Sequence, residues 1–150
     1  MATFAQFVYL LCLALWLGGI VFFSFFTAPV VFKRLGREQA GELVGAIFPR
    51  YYKLQYVCGV LMLGSLALLR GRGFDPNWLF LALMLGCAVY AGQVVNPQAR
   101  QVKEEMKQSG SSEALEARFQ SLHSLSVKLN SAVLVMGLGV LWITALHLKF

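Results

Sequence analysis

Residues 1–32 carry no charged side chain, and three later stretches, 54–69, 78–95 and 129–148, are equally free of Asp, Glu, Lys and Arg. Each approaches the roughly 20 apolar residues that an α-helix needs to cross a hydrocarbon core about 30 Å thick. Tyr51 and Tyr52 lengthen the second stretch, and residues 74–77 together with Asn96 lengthen the third. The pattern predicts an all-α, integral membrane four-helix bundle. It forms one domain, 1–150, with spans at about 7–32, 51–69, 76–96 and 128–148.

Between residues 37 and 48, Ala40, Leu43, Val44 and Ile47 recur at i, i+3, i+4 and i+7, with Arg37, Glu38 and Glu42 on the other faces. This is the pattern of an amphipathic interfacial helix, which Pro49 is expected to end. Arg50, Tyr51 and Tyr52 then read as a headgroup-level anchor for the second span. Beyond Asn96, the charged residues Lys103, Glu104, Glu105 and Lys107 continue the third helix until Ser109-Gly110-Ser111-Ser112 interrupts it. Ser112 suits an N-cap, with Glu113 and Glu116 in the following first turn, where the helix dipole favours them. A cytoplasmic helical hairpin extension is therefore expected, its return arm running straight into the fourth span.

Two further signals bear on packing. Pro29 removes the hydrogen bond to the carbonyl of Phe25 and should bend the first helix. Gly18 and Gly19, Gly59 and Gly64, Ala88 and Gly92, and Gly137 and Gly139 are small residues that let neighbouring helices approach. No internal repeat is visible.

Composition agrees with the pattern: 58% of residues are hydrophobic and 13% charged, against about 25% charged in soluble domains. Charge adds orientation. Ten of the thirteen Lys and Arg residues fall in the loops joining spans one to two and three to four, whereas Arg70, Arg72 and Lys149 fall on the other side. Basic short loops stay cytoplasmic, so both termini should be non-cytoplasmic, in what reads as a bacterial inner membrane. Anionic lipid headgroups account for the net charge of +6, and no nucleic acid partner is expected. The first stretch lacks a basic leading region and exceeds the roughly 7–15 residues of a signal-peptide core, so it is read as a retained helix. Cys12, Cys58 and Cys87 lie inside spans and read as small buried residues.

Candidate chemistry gathers at the cytoplasmic helix ends. Gln93, Asn96 and Arg100 share one face of the third helix at i, i+3 and i+7, and His123, Ser126 and Asn130 do the same on the fourth. Tyr52 and Gln55 pair on the second helix, Ser24 and Thr27 on the first. Pro97 withholds a donor from the carbonyl of Gln93 at the same depth. Thr27, Tyr52, Gln55, Gln93, Asn96, Arg100, His123, Ser126 and Asn130 are therefore expected to line one pocket for a solute, ion or lipid headgroup; the bland reading is a structural polar network. No catalytic arrangement stands out, and no intramembrane Asp or Glu offers a proton relay. A haem held by two histidines would need His123 and His147, about 36 Å apart along one helix at 1.5 Å per residue. Copper(I) has soft ligands available in Cys58, Met62, Met84 and Cys87, which are equally packing residues.

The order and spacing of Leu15-Trp16-Leu17-Gly18-Gly19, Ala28-Pro29-Val30, Ile47-Phe48-Pro49-Arg50-Tyr51-Tyr52, Asn96-Pro97 and the run from His123 to Asn130 resemble the transmembrane protein 205-like family, a domain of unknown function. The resemblance covers nearly the whole chain. It implies a four-helix membrane domain and, less directly, export or trafficking of metal-containing solutes. More distantly, the Trp16-Leu17-Gly18-Gly19 helix resembles copper resistance protein D and the haem-carrying membrane protoporphyrinogen oxidases. Those haem proteins carry a histidine about two turns before this segment, where this chain has Tyr9, Leu10 and Leu11, so haem is not expected. The function expected is non-enzymatic: binding or transport of a small solute or metal species through the cytoplasmic pocket. The alternatives are an assembly factor docking partner proteins through the hairpin and, third, a haem or redox enzyme. A homo-oligomer conducting along its symmetry axis is a further arrangement the sequence allows.

Overall fold

A computed structural model describes residues 1–70 and 75–147. Arg72, Phe74, Leu148 and Lys149, used above for orientation and span ends, lie outside the described residues. The described chain is helical: α1 (Ala2–Val21), a π-helical turn (Phe22–Thr27), α2 (Ala28–Arg34), α3 (Arg37–Arg70), α4 (Pro76–Tyr90), a second π-helical turn (Ala91–Val95), α5 (Asn96–Ser109) and α6 (Glu113–His147). These join into four helices of 32 to 34 residues, each long and apolar enough to cross a membrane. At 1.5 Å per residue each is about 50 Å long, exceeding a hydrocarbon core of about 30 Å. The chain is an integral membrane protein.

Sequence-adjacent helices pack together, and α1 also meets α6, closing the bundle. Trp16, Leu13 and Ile20 from α1, Met62 from α3, Met84 from α4 and Val140 from α6 are almost fully buried in its core. Gly59 makes room for Trp16, since a Cβ there would lie 3.0 Å from the indole. Gly137 does the same for Leu17 and Met84. Gly18 and Gly19 behave otherwise: no atom lies within 4 Å of a Cβ built at either, so this pair does not mediate the close approach its spacing suggests. Outward-facing Phe22, Phe25, Val135 and Trp142 are more than half exposed, as a lipid-facing surface requires.

Helix boundaries follow local chemistry. Asp75 caps α4 by accepting from the Asn77 backbone N–H at 2.9 Å, with Pro76 just inside the helix, where its missing N–H costs nothing. Gly110, at φ +82°, stops α5, and Ser112 caps α6 by accepting from the Leu115 N–H at 3.3 Å. Pro49 departs from expectation. It lies inside α3, so the amphipathic segment and the second span are one helix of 34 residues. The proline withholds its donor from the carbonyl of Gly45, and the Arg100 guanidinium of α5 donates to that oxygen instead.

The two odd-numbered spans also differ from a simple proline bend. In each, the residue before the proline donates five positions back, Ala28 to the Phe23 carbonyl and Asn96 to the Ala91 carbonyl, producing the π-helical turns. Pro29 and Pro97 then start α2 and α5. The two halves thus share a device that side-chain patterning did not reveal: apolar helix, π-helical turn, then a proline that opens the next helix.

Candidate functional site

The polar residues gather at the loop end, where α2 meets α3 and α5 meets α6, and form two arrangements rather than one. The first is a cavity of about 230 Å³ between α3 and the α4–α5 span, lined by Pro49, Tyr52, Lys53 and Tyr56 on one wall and Gly92, Gln93, Asn96, Pro97 and Arg100 on the other. Both walls follow helical spacing: positions 49, 52, 53 and 56 form one stripe, and 92 or 93, 96 or 97 and 100 form the other. Gly92 lets the walls meet, because a Cβ there would lie 2.8 Å from Cγ of Tyr52 and collide with the Tyr56 hydroxyl. That hydroxyl lies 3.4 Å from the Ala88 carbonyl, and the Gln93 amide nitrogen approaches it at 3.5 Å, both long contacts.

The second arrangement is inside the bundle. Tyr51 donates to Oδ1 of Asn130 at 2.8 Å, and the Asn130 nitrogen donates to the Ser24 hydroxyl at 3.4 Å, tying α3, α6 and the first π-helical turn together. The hydroxyls of Tyr52 and Ser126 lie 3.3 Å apart. Tyr52 thus belongs to both arrangements, its ring in the cavity wall and its hydroxyl in the network. Gln55 is 2% exposed, beside the Tyr51 hydroxyl, and its amide nitrogen has no well-formed hydrogen bond. Phe23, Phe48, Tyr51, Tyr52 and Tyr56 form an aromatic cluster around these groups, with neighbouring ring centroids 5.3 to 6.4 Å apart. Tyr51, expected only as a headgroup-level anchor, and Tyr52, expected both as an anchor and as a pocket residue, turn into the bundle here.

Of the nine candidates, Tyr52, Gln93, Asn96 and Arg100 line the cavity, while Ser126 and Asn130 belong to the internal network, with Gln55 buried beside it. Thr27 is half-buried in the first π-helical turn, away from the cavity. His123 is exposed and stacked on Phe119, ring centroids 6.4 Å apart, and takes no part in either arrangement. Two lining residues with polar side chains were missed. Lys53 had been counted only as a topology charge, and Tyr56 was passed over although it follows Tyr52 by one helical turn.

Charge is distributed unevenly around the site. Lys53 and Arg100 line the cavity, no carboxylate does, and neither cation forms an ion pair among the described residues. The carboxylates lie farther out: Lys107 pairs with Glu42 and approaches Glu38 at 4.0 Å. Beyond the charge-free part of α3, the Glu42 carboxyl is held below its ordinary value by the hydrogen bond and charge of Lys107. No three His, Cys, Asp or Glu side chains come together among the described residues. Cys12 and Cys58 are buried and Cys87 is half-buried, all three as free thiols.

No solved structure matches the chain. An uncharacterized protein of Aquifex aeolicus (strain VF5) is 34% identical over 130 residues, covering 85% of this chain and 86% of its own. A family model matches residues 11–108, which span every residue lining the cavity, and the chain belongs to that family, described as a domain of unknown function (DUF4149).

Proposed function

We propose that this membrane protein is non-enzymatic and binds or moves a small polar solute at the cavity between α3 and the α4–α5 span. The observation that supports this is the convergence of two amides, two tyrosine rings and two cations on one small space, against two prolines that each withhold a backbone donor. Polar groups near membrane depth are costly and concentrate where solutes or ions are handled. Imperfectly paired backbone is tolerated there when it lines a protein- or water-filled cavity. The Lys53 and Arg100 side chains carry donors and no acceptor atom, so the lining suits an oxygen-rich solute better than a bare metal cation.

The basic loops support, by the positive-inside rule, a cavity on the cytoplasmic side and both termini on the other, in a bacterial inner membrane. The likeness to transmembrane protein 205-like proteins supports solute handling in general. An assembly role through the α5–α6 hairpin has less support, because Arg100 and Lys107 of α5 are already engaged by Gly45 and Glu42 of α3.

The test is native mass spectrometry with elemental analysis of protein purified in mild detergent. Wild-type protein should carry a stoichiometric small molecule that Gln93→Leu loses while still inserting and unfolding at an unchanged temperature. Full retention by Gln93→Leu would sink the reading.

A further inference from the structure

The loop-end cavity has more selective chemistry than polarity alone. Lys53 and Arg100 enter from opposite walls, no acidic side chain lines the space, and neither cation has a carboxylate partner among the described residues. Elsewhere at this end of the molecule a cation does find one, as Lys107 does in Glu42. Two like charges facing a common space repel, and an anion between them removes that cost. Arg100 spends one N–H on the Gly45 carbonyl, and guanidinium carries five, so a planar fork remains for oxygen acceptors. The Gln93 and Asn96 amides add uncharged donors around the same space, and the rings of Tyr52 and Tyr56 wall it, their hydroxyls being turned to Ser126 and the Ala88 carbonyl. At about 230 Å³, the cavity is smaller than the roughly 300–1,000 Å³ of pockets for drug-sized molecules. It fits a group of few heavy atoms, not a whole metabolite.

The faces that form the cavity continue toward the bilayer as apolar surface. One turn beyond Tyr56 on α3 is Val60, 61% exposed, and one turn before Gln93 on the other wall is Val89, 41% exposed. Each lies about 6 Å deeper than the polar residue it follows. A polar, cationic cup thus opens onto an apolar lane between the same two helices.

We infer that the cavity takes the anionic phosphate headgroup of a membrane lipid, with the acyl chain along Val60 and Val89. This rests on the solute-site reading above and names its ligand class. Lys53 and Arg100 neutralise the phosphate, and the Gln93 and Asn96 amides orient it.

The experiment is native mass spectrometry of delipidated protein titrated separately with phosphatidylglycerol, phosphatidylcholine and inorganic phosphate. Phosphatidylglycerol should add once per chain and survive activation at least about tenfold better than phosphatidylcholine, and millimolar inorganic phosphate should not displace it. Lys53→Gln should bring its retention down to the phosphatidylcholine level. That side chain makes no hydrogen bond to the described residues, so this variant keeps the test valid if Arg100→Gln, which frees the Gly45 carbonyl, fails to fold. Arg118→Gln, outside the cavity, should change nothing. Equal retention of the two lipids, or efficient displacement by inorganic phosphate, overturns the inference and leaves a polar solute site standing. No adduct with any of the three probes, together with no effect of Gln93→Leu on what the purified protein retains, overturns the inference and the solute reading together.

Discussion

The two π-helical turns are built alike and used differently. Aligned on Pro29 and Pro97, the residues facing the α3 wall in the second turn and the helix after it, Gln93, Asn96 and Arg100, correspond to Phe25, Ala28 and Phe32 in the first. Phe25 is 65% exposed and Phe32 46%, both facing lipid, whereas their counterparts line a cavity. The buried positions are exchanged as well: Phe23 of the first turn packs on Phe48 and Tyr51 with centroids 5.5 and 5.3 Å away, where the second turn has the small Ala91. A π-helical turn followed by proline is therefore not itself a site. It leaves backbone groups poorly paired in both helices, and the side chains decide whether that irregularity faces lipid or a polar cup.

Exchanging side chains between the turns should give the largest effect. Gln93→Phe, which writes the first turn's residue into the second, should lower retention of the cavity's ligand more than tenfold while leaving stability within roughly 0.5 kcal/mol, as exposed substitutions usually do. The reciprocal Phe25→Gln should leave ligand retention unchanged. Retention is read by native mass spectrometry and stability by thermal unfolding in detergent. Equal effects of the two substitutions would mean that the helices are not functionally distinct.

Next in size is the steric difference. Gly92→Ala introduces a Cβ 2.8 Å from Cγ of Tyr52, an atom close to its own backbone and unable to swing away. Overpacking of this kind costs about 1–3 kcal/mol. The aligned position in the first turn is Ser24, where an alanine creates no such contact and loses only a long hydrogen bond from Asn130. The unfolding midpoint of Gly92→Ala should therefore fall clearly below that of Ser24→Ala.

The internal network comes third. Asn130→Leu removes the acceptor of the Tyr51 hydroxyl and the donor to Ser24. Side-chain hydrogen bonds between membrane helices average about 0.6 kcal/mol and reach about 1.7, so the loss should lie in that range. Because Asn130 does not line the cavity, ligand retention should persist in protein that folds. A stable Asn130→Leu protein without ligand would merge the two arrangements into one site.

How much of this was legible in advance depends on the range of the interaction concerned. The spans were readable because a bilayer tolerates so few charges that four charge-free runs suffice to mark them. Ser112 and Gly110 were readable because a cap and a positive φ are local requirements. Pro49 was misread as a helix end because its missing donor is compensated by Arg100, 55 positions beyond the Gly45 carbonyl that it satisfies, which no local rule can see. The polar stripes were correct as stripes, but His123 and Asn130, seven residues apart on one face, meet different neighbours: His123 stacks on Phe119 near the loop, and Asn130 reaches Tyr51 inside. The shared π-helical turns escaped notice because their residues, FFSFFT and AGQVV, have no sequence in common. Their likeness lies in hydrogen bonds.

The smallest expected effect concerns the ion pair that ties the α5 extension to the start of α3, for which α2 shows no counterpart among the described residues. Lys107 holds Glu42 in an ion pair, but both side chains are well exposed, so solvent and salt screen the attraction. The folded-state pKa of Glu42 is depressed. Its contribution is therefore fully present above the ordinary glutamate value of about 4.3 and is lost only as pH falls through the lower folded value. Glu42→Gln should leave the unfolding midpoint at neutral pH within error of wild type, and the small difference that low salt reveals should vanish on acidification to about pH 3. A large drop on Glu42→Gln at neutral pH and high salt would show instead that the hairpin is clamped to α3 through this pair, and that the cavity owes its shape to it.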